Sequence, residues 1–212
     1  AGHREGINSV REITRICGEI GVKYLTLYTL STENWNRPKK EVNALMSLLL
    51  NTIKKEVQEL HKNNVKFSTI GDLTFLPKNT QSGLEDGMDL TKNNTGLNLI
   101  LALNYGSRQE IIDSVINIVN KVQLGDIDSS HIDEALFSSF LYTKNYPDPD
   151  LLIRTSGELR ISNFLLWQCA YTEIYLTNTY WPSFREEELY KAILDYQNRE
   201  RRYGKISEQV NT

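Results

Sequence analysis

The sequence predicts an α/β protein: a single domain, residues 1–212, with a mostly parallel central sheet flanked by helices. Two hydrophobic periods alternate along the chain, because segments with apolar residues at helical spacing are separated by β-branched and aromatic runs. Alternating strands and helices are typical of right-handed crossovers and a sheet covered on both faces. The 212 residues, 40% of them hydrophobic, are enough for one sizeable core, and no repeat or long linker divides them.

The first third of the chain predicts two helix–strand pairs. Isoleucines and a cysteine recur at helical spacing over residues 5–20, and Gly21 ends that helix. The β-branched and aromatic run at 22–30 predicts a strand. Residues 39–62 carry a wide apolar face and predict a long helix, which the strand VKFSTIG at 65–71 follows.

The remainder continues the alternation. The run at 96–104 is almost entirely apolar, as expected of a strand that is buried on both faces. The other predicted elements are a weaker helix at 77–92, helices at 107–123 and 130–141, strands at 150–155 and 173–177, and a charged helix at 184–202.

Composition excludes several classes of function. A net charge of -3 argues against a general nucleic-acid binder, and no apolar run reaches the ~18 residues that a membrane span needs. Cys17 and Cys169 are far apart and form no CxxC pair, so two reduced thiols are expected. The sequence has no phosphate-binding P-loop, dinucleotide fingerprint, HExxH or GxSxG motif, so ATP hydrolysis, dinucleotide redox chemistry and serine hydrolysis lose their usual support.

Ligands of open parallel sheets bind beyond the carboxyl ends of the strands, and the first candidate segment follows the first strand. Residues 31–38 (STENWNRP) combine hydroxyls, amides, an arginine and a tryptophan. Such a segment can bind a polar ligand. The alternative is a loop that caps the next helix, with Trp35 packed on the core.

The second candidate segment is DLLIRTSGELRISN at 150–163. Arg154 ends a buried strand, and Arg160 and Ser162 follow after a turn at Gly157. Two guanidinium groups and a hydroxyl suit a phosphate or diphosphate, since each guanidinium can donate two charge-assisted hydrogen bonds. The alternative is an ion-pair cluster with neighbouring carboxylates, Asp150 and Glu158.

The third candidate is Glu173, at the start of the last strand. A carboxylate near an arginine pair can bind Mg²⁺ that is held by a diphosphate, although a lone surface glutamate is the more common case. Together the segments predict a diphosphate-sized anion site beside a long apolar helix. An apolar wall beside such a site suits a lipid diphosphate without requiring one.

Several motifs resemble those of the cis-prenyltransferases of the undecaprenyl diphosphate synthase (isoprenyl transferase) type. They are Gly2-His3, STENWNRP, TGLNL..LNYGSR, DLLIRTSGELRISNFLLWQ-AY-E and ERRYGK, and they occur in order from residue 1 to about 204. The resemblance implies an α/β homodimer that condenses isopentenyl diphosphate repeatedly onto an allylic diphosphate such as farnesyl diphosphate. It also implies a requirement for Mg²⁺ and cis double bonds in the product, most simply undecaprenyl diphosphate for cell-wall carrier lipid.

Roles carry over residue by residue. Arg154, Arg160 and Ser162 match the positions that hold the diphosphate of isopentenyl diphosphate, and Glu173 matches an acidic residue associated with Mg²⁺. Leu97 matches a position at the far end of an apolar product tunnel. Three groups complete the set: His3, Ser31 and Asn34 near the reacting carbons; Trp35, Arg37 and Glu41 in a flap over the substrates; and Arg202 and Gly204 in an R-x-G element that reaches the partner subunit's site.

The resemblance also predicts what accompanies this chain. The family's Asp-Gly-Asn-Gly-Arg-Trp loop, whose aspartate is the main Mg²⁺ ligand, is expected upstream of Ala1. We expect a cytoplasmic enzyme with peripheral membrane contact for product release. The alternatives are a non-catalytic accessory subunit of a heteromeric cis-prenyltransferase, which typically loses the arginine–serine site retained here, and an unrelated phosphate-binding α/β protein.

Overall fold

The computed structural model describes residues 2–201, with side chains from residue 5 onward. The helices and strands of this range lie close to the predicted ones. In chain order they are α1 (Gly2–Glu19), β1 (Tyr24–Ser31), α2 (Lys39–Lys62), β2 (Lys66–Ile70), α3 (Lys78–Thr91), β3 (Asn98–Tyr105), α4 (Ser107–Gln123), α5 (Glu134–Ser138), β4 (Leu151–Arg154), β5 (Glu173–Leu176) and α6 (Glu186–Gln197).

Local sequence explains where the long helices begin and end. Pro38 precedes α2, where its missing N–H leaves no helical hydrogen bond unmade. Beyond the helix, Asn64 adopts a left-handed φ of 56°, and the Val65 N–H donates to the carbonyl of Leu60 at 2.9 Å. This is a common way to close the last helical turn. Gly21 ends α1 with a φ of 84°.

The chain forms two compact units. The larger consists of residues 17–147 and 163–165 and contains a parallel sheet in the order β1–β3–β2. The central strand β3 is buried along its whole length, as predicted from its continuous apolar run. Its Leu99 pairs with Leu25 on one side and Phe67 on the other. Helices α2 and α3 pack on β2 and on each other.

The described part of the smaller unit consists of residues 2–16, 148–162 and 166–201. Strands β4 and β5 pair in parallel, and α6 packs against β5. The first turns of α1 are held by hydrogen bonds: the Ser9 hydroxyl donates to the carbonyl of Trp181 at 2.7 Å, and the Trp181 indole donates to the carbonyl of Gly6 at 3.2 Å. Arg185 adds ion pairs to Glu5 and Glu12 of α1.

The α/β class with parallel strands is confirmed. In detail, the strands lie in a three-stranded and a two-stranded sheet, and the helix expected at 130–141 is shorter, because a 3₁₀ turn at Ser129–His131 precedes α5. That both units belong to one domain stays a prediction. Within residues 2–201, none of the helices combines the length and the apolar character that a membrane span requires.

Candidate active site

Arg154 ends β4, where it pairs with Leu176 of β5. Its side chain is half-buried, and its Nε is fully buried with no hydrogen-bond partner within the described part of the chain. Ser156 and Gly157 then turn the chain with left-handed φ values of 69° and 67°. Glycine adopts this conformation without strain, so Gly157 suits the turn. An arginine whose buried Nε is unpaired is poised to bind an anion.

Arg160 and Ser162 lie beyond this turn, and both are exposed. The Arg160 guanidinium contacts the Glu158 carboxylate at 2.5 Å, so part of the ion-pair alternative is correct. Asp150 instead pairs with Arg201, at 2.6 Å. An exposed ion pair contributes about 0–1 kcal/mol, which a phosphate that binds both guanidinium nitrogens can replace.

Glu173 begins β5, opposite Leu151, while Arg154 lies at the other end of the same strand pair. The two ends of this strand pair are three residues apart, which corresponds to about 10 Å along the strands. The Arg199 guanidinium donates to Glu173 Oε2 at 2.8 Å and also pairs with Asp195. Arg199 was not predicted from the sequence, because only the fold brings the carboxyl end of α6 to the start of β5.

The donor set suits Mg²⁺ only together with a substrate. No group of three or more His, Cys, Asp or Glu side chains that could hold a metal occurs in the described range. Magnesium is commonly held by one or two carboxylates plus substrate phosphates. Glu173 can supply one such carboxylate, with diphosphate oxygens completing the shell.

In the larger unit, residues 32–36 form a 3₁₀ turn directly after β1. The backbone N–H of Ser31 donates to Asn34 Oδ1 at 2.9 Å, which fixes these two predicted polar residues against each other. The Trp35 indole Nε1 donates to Asn104 Oδ1 at 2.6 Å. Arg37 and Glu41 form an exposed ion pair at 2.8 Å. The alternative interpretation of this segment is therefore partly correct, because Trp35 is hydrogen-bonded to the buried strand β3 of the same unit.

Asn163 also holds this turn and was not singled out from the sequence. Its Nδ2 donates to Glu33 Oε1 at 2.8 Å, and its Oδ1 accepts from the backbone N–H of Arg108 at 3.0 Å. Burial raises the pKa of Glu33, but hydrogen bonds from Asn163, its own backbone N–H, Ser31 and Thr32 outweigh that effect and lower the pKa below its ordinary value. A Cβ on Gly106 would lie 2.5 Å from Thr32 Oγ1, so the turn packs closely on the start of α4.

The remaining predicted residues fall in three places. Leu97 is buried just before β3, and its carbonyl accepts from the Lys66 N–H at 2.8 Å. His3 lies in the first turn of α1, and its side chain is outside the described residues, as are Arg202 and Gly204. The smaller unit thus carries Arg154, Arg160, Ser162 and Glu173, and the larger unit carries Ser31, Asn34, Trp35, Arg37, Glu41 and Leu97.

Comparison with known proteins identifies the family. The prenyltransferase family model described as undecaprenyl diphosphate synthase matches residues 1–204. An isoprenyl transferase of Clostridium tetani is 54% identical over 205 residues, which cover 97% of this chain and 80% of that protein. The ditrans,polycis-undecaprenyl-diphosphate synthase ((2E,6E)-farnesyl-diphosphate specific) of Micrococcus luteus is 50% identical over 203 residues, covering 96% and 82%.

Solved structures agree with this assignment. The lavandulyl diphosphate synthase of Lavandula x intermedia, solved in complex with dimethylallyl diphosphate, matches with a TM-score of 0.92 and 38% identity over 96% of this chain and 88% of that one. A structure described as an undecaprenyl diphosphate synthase of Campylobacter jejuni matches with a TM-score of 0.85 and 33% identity over 95% and 93%. This chain therefore belongs to the undecaprenyl diphosphate synthase family of prenyltransferases.

Proposed function

We propose that this prenyltransferase condenses isopentenyl diphosphate in cis, repeatedly, onto farnesyl diphosphate and forms a long polyprenyl diphosphate, undecaprenyl diphosphate. The observation that carries the proposal is the buried Nε of Arg154 at the carboxyl end of β4, which has no hydrogen-bond partner among residues 5–201. The exposed Arg160 and Ser162 follow it. The Micrococcus luteus relative, whose name specifies farnesyl diphosphate, supports this choice of allylic substrate.

The reaction joins C4 of isopentenyl diphosphate to C1 of the allylic diphosphate. The C1–O bond breaks, pyrophosphate leaves with the electron pair, and positive charge develops on the carbons. The C3–C4 double bond attacks C1, and loss of a proton from C2 forms the new double bond. Arg154, Arg160 and Ser162 act by holding the diphosphate of this nucleophile, since fixing two reactants in place lowers the barrier substantially.

The proton from C2 needs an acceptor near the reacting carbons. We assign its removal to the group of His3, Ser31 and Asn34. Within this group, the backbone N–H of Ser31 donates a hydrogen bond to the side chain of Asn34. Trp35, Arg37 and Glu41 form the flap over the substrates, and Arg202 and Gly204 complete the partner subunit's site. Glu173, with the diphosphate oxygens and the aspartate expected upstream of Ala1, would hold Mg²⁺, which would supply charge stabilisation for the departing pyrophosphate.

The growing chain needs an apolar tunnel, for which α2 and β3 are the proposed walls and Leu97 the far end. Each buried isoprene unit contributes roughly 3–4 kcal/mol at about 0.8 kcal/mol per CH₂-sized group. This free energy keeps a long product bound and slows its release. We therefore include in the proposal a peripheral contact with the membrane, for product release. The enzyme is assigned to the cytoplasm.

We propose a homodimer because of an exposed apolar stripe on α4. Ile112, Val115, Ile116 and Val119 are each about half exposed and recur at helical spacing, so they share one face. The smaller unit exposes Ile174, Leu176 and Leu194. Large exposed apolar patches mark protein interaction sites.

The test is an assay of the purified protein, with the segment expected upstream of Ala1 included, in the presence of farnesyl diphosphate, labelled isopentenyl diphosphate and Mg²⁺. The dephosphorylated products are separated by chromatography. Polyprenols that lengthen with time, and no products in excess chelator, are expected. A protein that is inactive alone but active when a second subunit of the same fold is added would support the accessory-subunit alternative. No turnover of either substrate would overturn the proposal.

A further inference from the structure

Asn104 is a buried polar residue at the carboxyl end of β3, with 6% of its surface exposed. Its Oδ1 accepts from the Trp35 indole at 2.6 Å, and its Nδ2 donates to the carbonyl of Asp72 at 2.8 Å. One side chain therefore joins the turn after β1 to the segment after β2. Each of these two segments follows a strand that flanks β3 in the sheet.

The chemistry of these partners fixes the orientation of the amide. An indole N–H can only donate and a carbonyl oxygen can only accept, so Oδ1 must face Trp35 and Nδ2 must face Asp72. Neither a leucine, which has no polar group, nor an aspartate, which has no amide donor, can make both bonds. This position therefore requires an asparagine-like side chain.

The backbone is also shaped to aim this side chain. Along the β1–β3 ladder Leu30 pairs with Leu103, but the next pair is Ser31 with Tyr105, so Asn104 is the extra residue of a bulge. Its φ is 46°, in the left-handed region that asparagine tolerates better than most residues. Bulges redirect side chains and are common beside active sites.

We propose that Asn104 is a positioning residue for catalysis, which holds the Trp35 indole, and with it the turn that carries Ser31 and Asn34, in the geometry needed for chain elongation. This inference rests on the proposed function. Without the bond from Asn104, the 3₁₀ turn keeps its internal hydrogen bonds, but the indole and the turn that carries it lose this attachment to β3.

The test uses Asn104→Gly, because glycine adopts the left-handed φ without strain and removes both hydrogen bonds. The matched control is Asn94→Gly. Asn94 lies between α3 and β3, outside the proposed tunnel walls, is half-buried and donates from Nδ2 to the carbonyl of Val65 at 2.7 Å. It shares with Asn104 the residue type and an amide donor to a backbone carbonyl, but not the contact with Trp35.

Loss of the Asn104 contact should lower kcat about tenfold, as expected for losing one buried hydrogen bond. Asn94→Gly should leave kcat within about twofold of wild type even where it lowers the melting temperature. In a Trp35→Phe background, Asn104→Gly should add less than about twofold, because the two residues act through one bond. Asn104→Asp, which keeps the acceptor for Trp35, should lie between wild type and Asn104→Gly.

A second measurement does not depend on activity. The emission of Trp35, obtained by subtracting the spectrum of Trp35→Phe, should shift in Asn104→Gly and not in Asn94→Gly. Additive losses of kcat, an equal loss in the control, or an unchanged emission of Trp35 would each overturn the inference while the wild type remains active. If the wild type itself elongates no prenyl chain, the proposed function fails and this inference falls with it.

Discussion

Arg154 shows how one residue can favour binding over stability. A buried donor without a partner costs about 1–3 kcal/mol, and within the part of the chain that the structure describes the Nε of Arg154 is such a donor. Arg160, by contrast, is exposed and already paired with Glu158, so its loss leaves no unsatisfied group in the interior. If Arg154 binds a diphosphate, removing its charge should weaken diphosphate binding without lowering the stability of the fold.

We therefore expect Arg154→Met to raise the Michaelis constant for isopentenyl diphosphate about tenfold or more, since charge-assisted hydrogen bonds contribute about 1.5–3 kcal/mol. The melting temperature should stay equal or rise, because the buried unpaired nitrogen is gone. Arg15→Met, which removes an exposed arginine from α1, is the control and should change neither value. A wild-type Michaelis constant for Arg154→Met would refute the assignment of this site.

Glu33 permits a prediction about pH. Its pKa lies below the ordinary 4.5, because the hydrogen bonds it accepts, notably from Asn163, outweigh the effect of its burial. A lowered folded-state pKa means that the stability from this carboxylate is present above about pH 4.5 and is lost as pH falls through the folded pKa. Denaturant unfolding of wild type and Glu33→Gln should therefore differ most near neutral pH and converge in acid.

The control for Glu33 is the same comparison in an Asn163→Ala background. There the carboxylate has lost a charge-assisted hydrogen bond, so Glu33→Gln should change the free energy of unfolding less at neutral pH than it does in wild type. A difference that grows as pH falls would contradict the assigned direction of the pKa.

At the scale of elements, the start of β3 combines deep burial with a proposed role in the product tunnel. Leu97 precedes the strand and is 3% exposed, a value equally expected of a core residue and of a tunnel end filled by neighbouring side chains. Product length separates the two. Under the tunnel proposal Leu97→Ala should give longer products with a modest loss of stability, whereas a core position should lose about 2–5 kcal/mol and keep its product profile.

The matched control for Leu97 is Leu84→Ala. Leu84 lies in α3 and is completely buried, so the same truncation in the core should lower the melting temperature without changing chain length. Chromatography of dephosphorylated products beside a thermal melt provides both values. A large fall in melting temperature with an unchanged profile for Leu97→Ala would remove Leu97 from the tunnel.

Elements with strong local signals were predictable from sequence. The helix expected at 39–62 is α2 to the residue, because its apolar face repeats regularly and Pro38 marks its beginning. Long-range pairing was not predictable. Nothing local shows that Arg199 pairs with Glu173, or that Asn104 receives the Trp35 indole. For Asn104 there was a signal, since an asparagine in a continuous apolar strand must find buried partners.

At the scale of the whole molecule, the proposed dimer should depend on the apolar face of α4. Ile116→Asp places a charge in the middle of that face and should yield monomers in sedimentation equilibrium, because an unpaired charge in an interface is strongly unfavourable. Asn117→Asp adds the same charge one residue away, on an exposed polar position of the same helix, and should remain dimeric. If Ile116→Asp stays dimeric, another face makes the contact.

A mixing experiment tests whether two subunits share one site, as the R-x-G element at Arg202 predicts. If each site combines Arg160 of one subunit with Arg202 of its partner, a mixed dimer of Arg160→Ala and Arg202→Ala subunits contains one fully native site and one doubly altered site. Random mixing in equal amounts makes half of the dimers mixed, so activity should recover to about one quarter of wild type. If Arg202 acts within its own subunit, every site carries one altered residue and no activity returns.

Adding Ile116→Asp to both subunits should abolish recovery, because recovery requires the dimer. Recovery without a dimer, or none within a proven dimer, would refute the shared site.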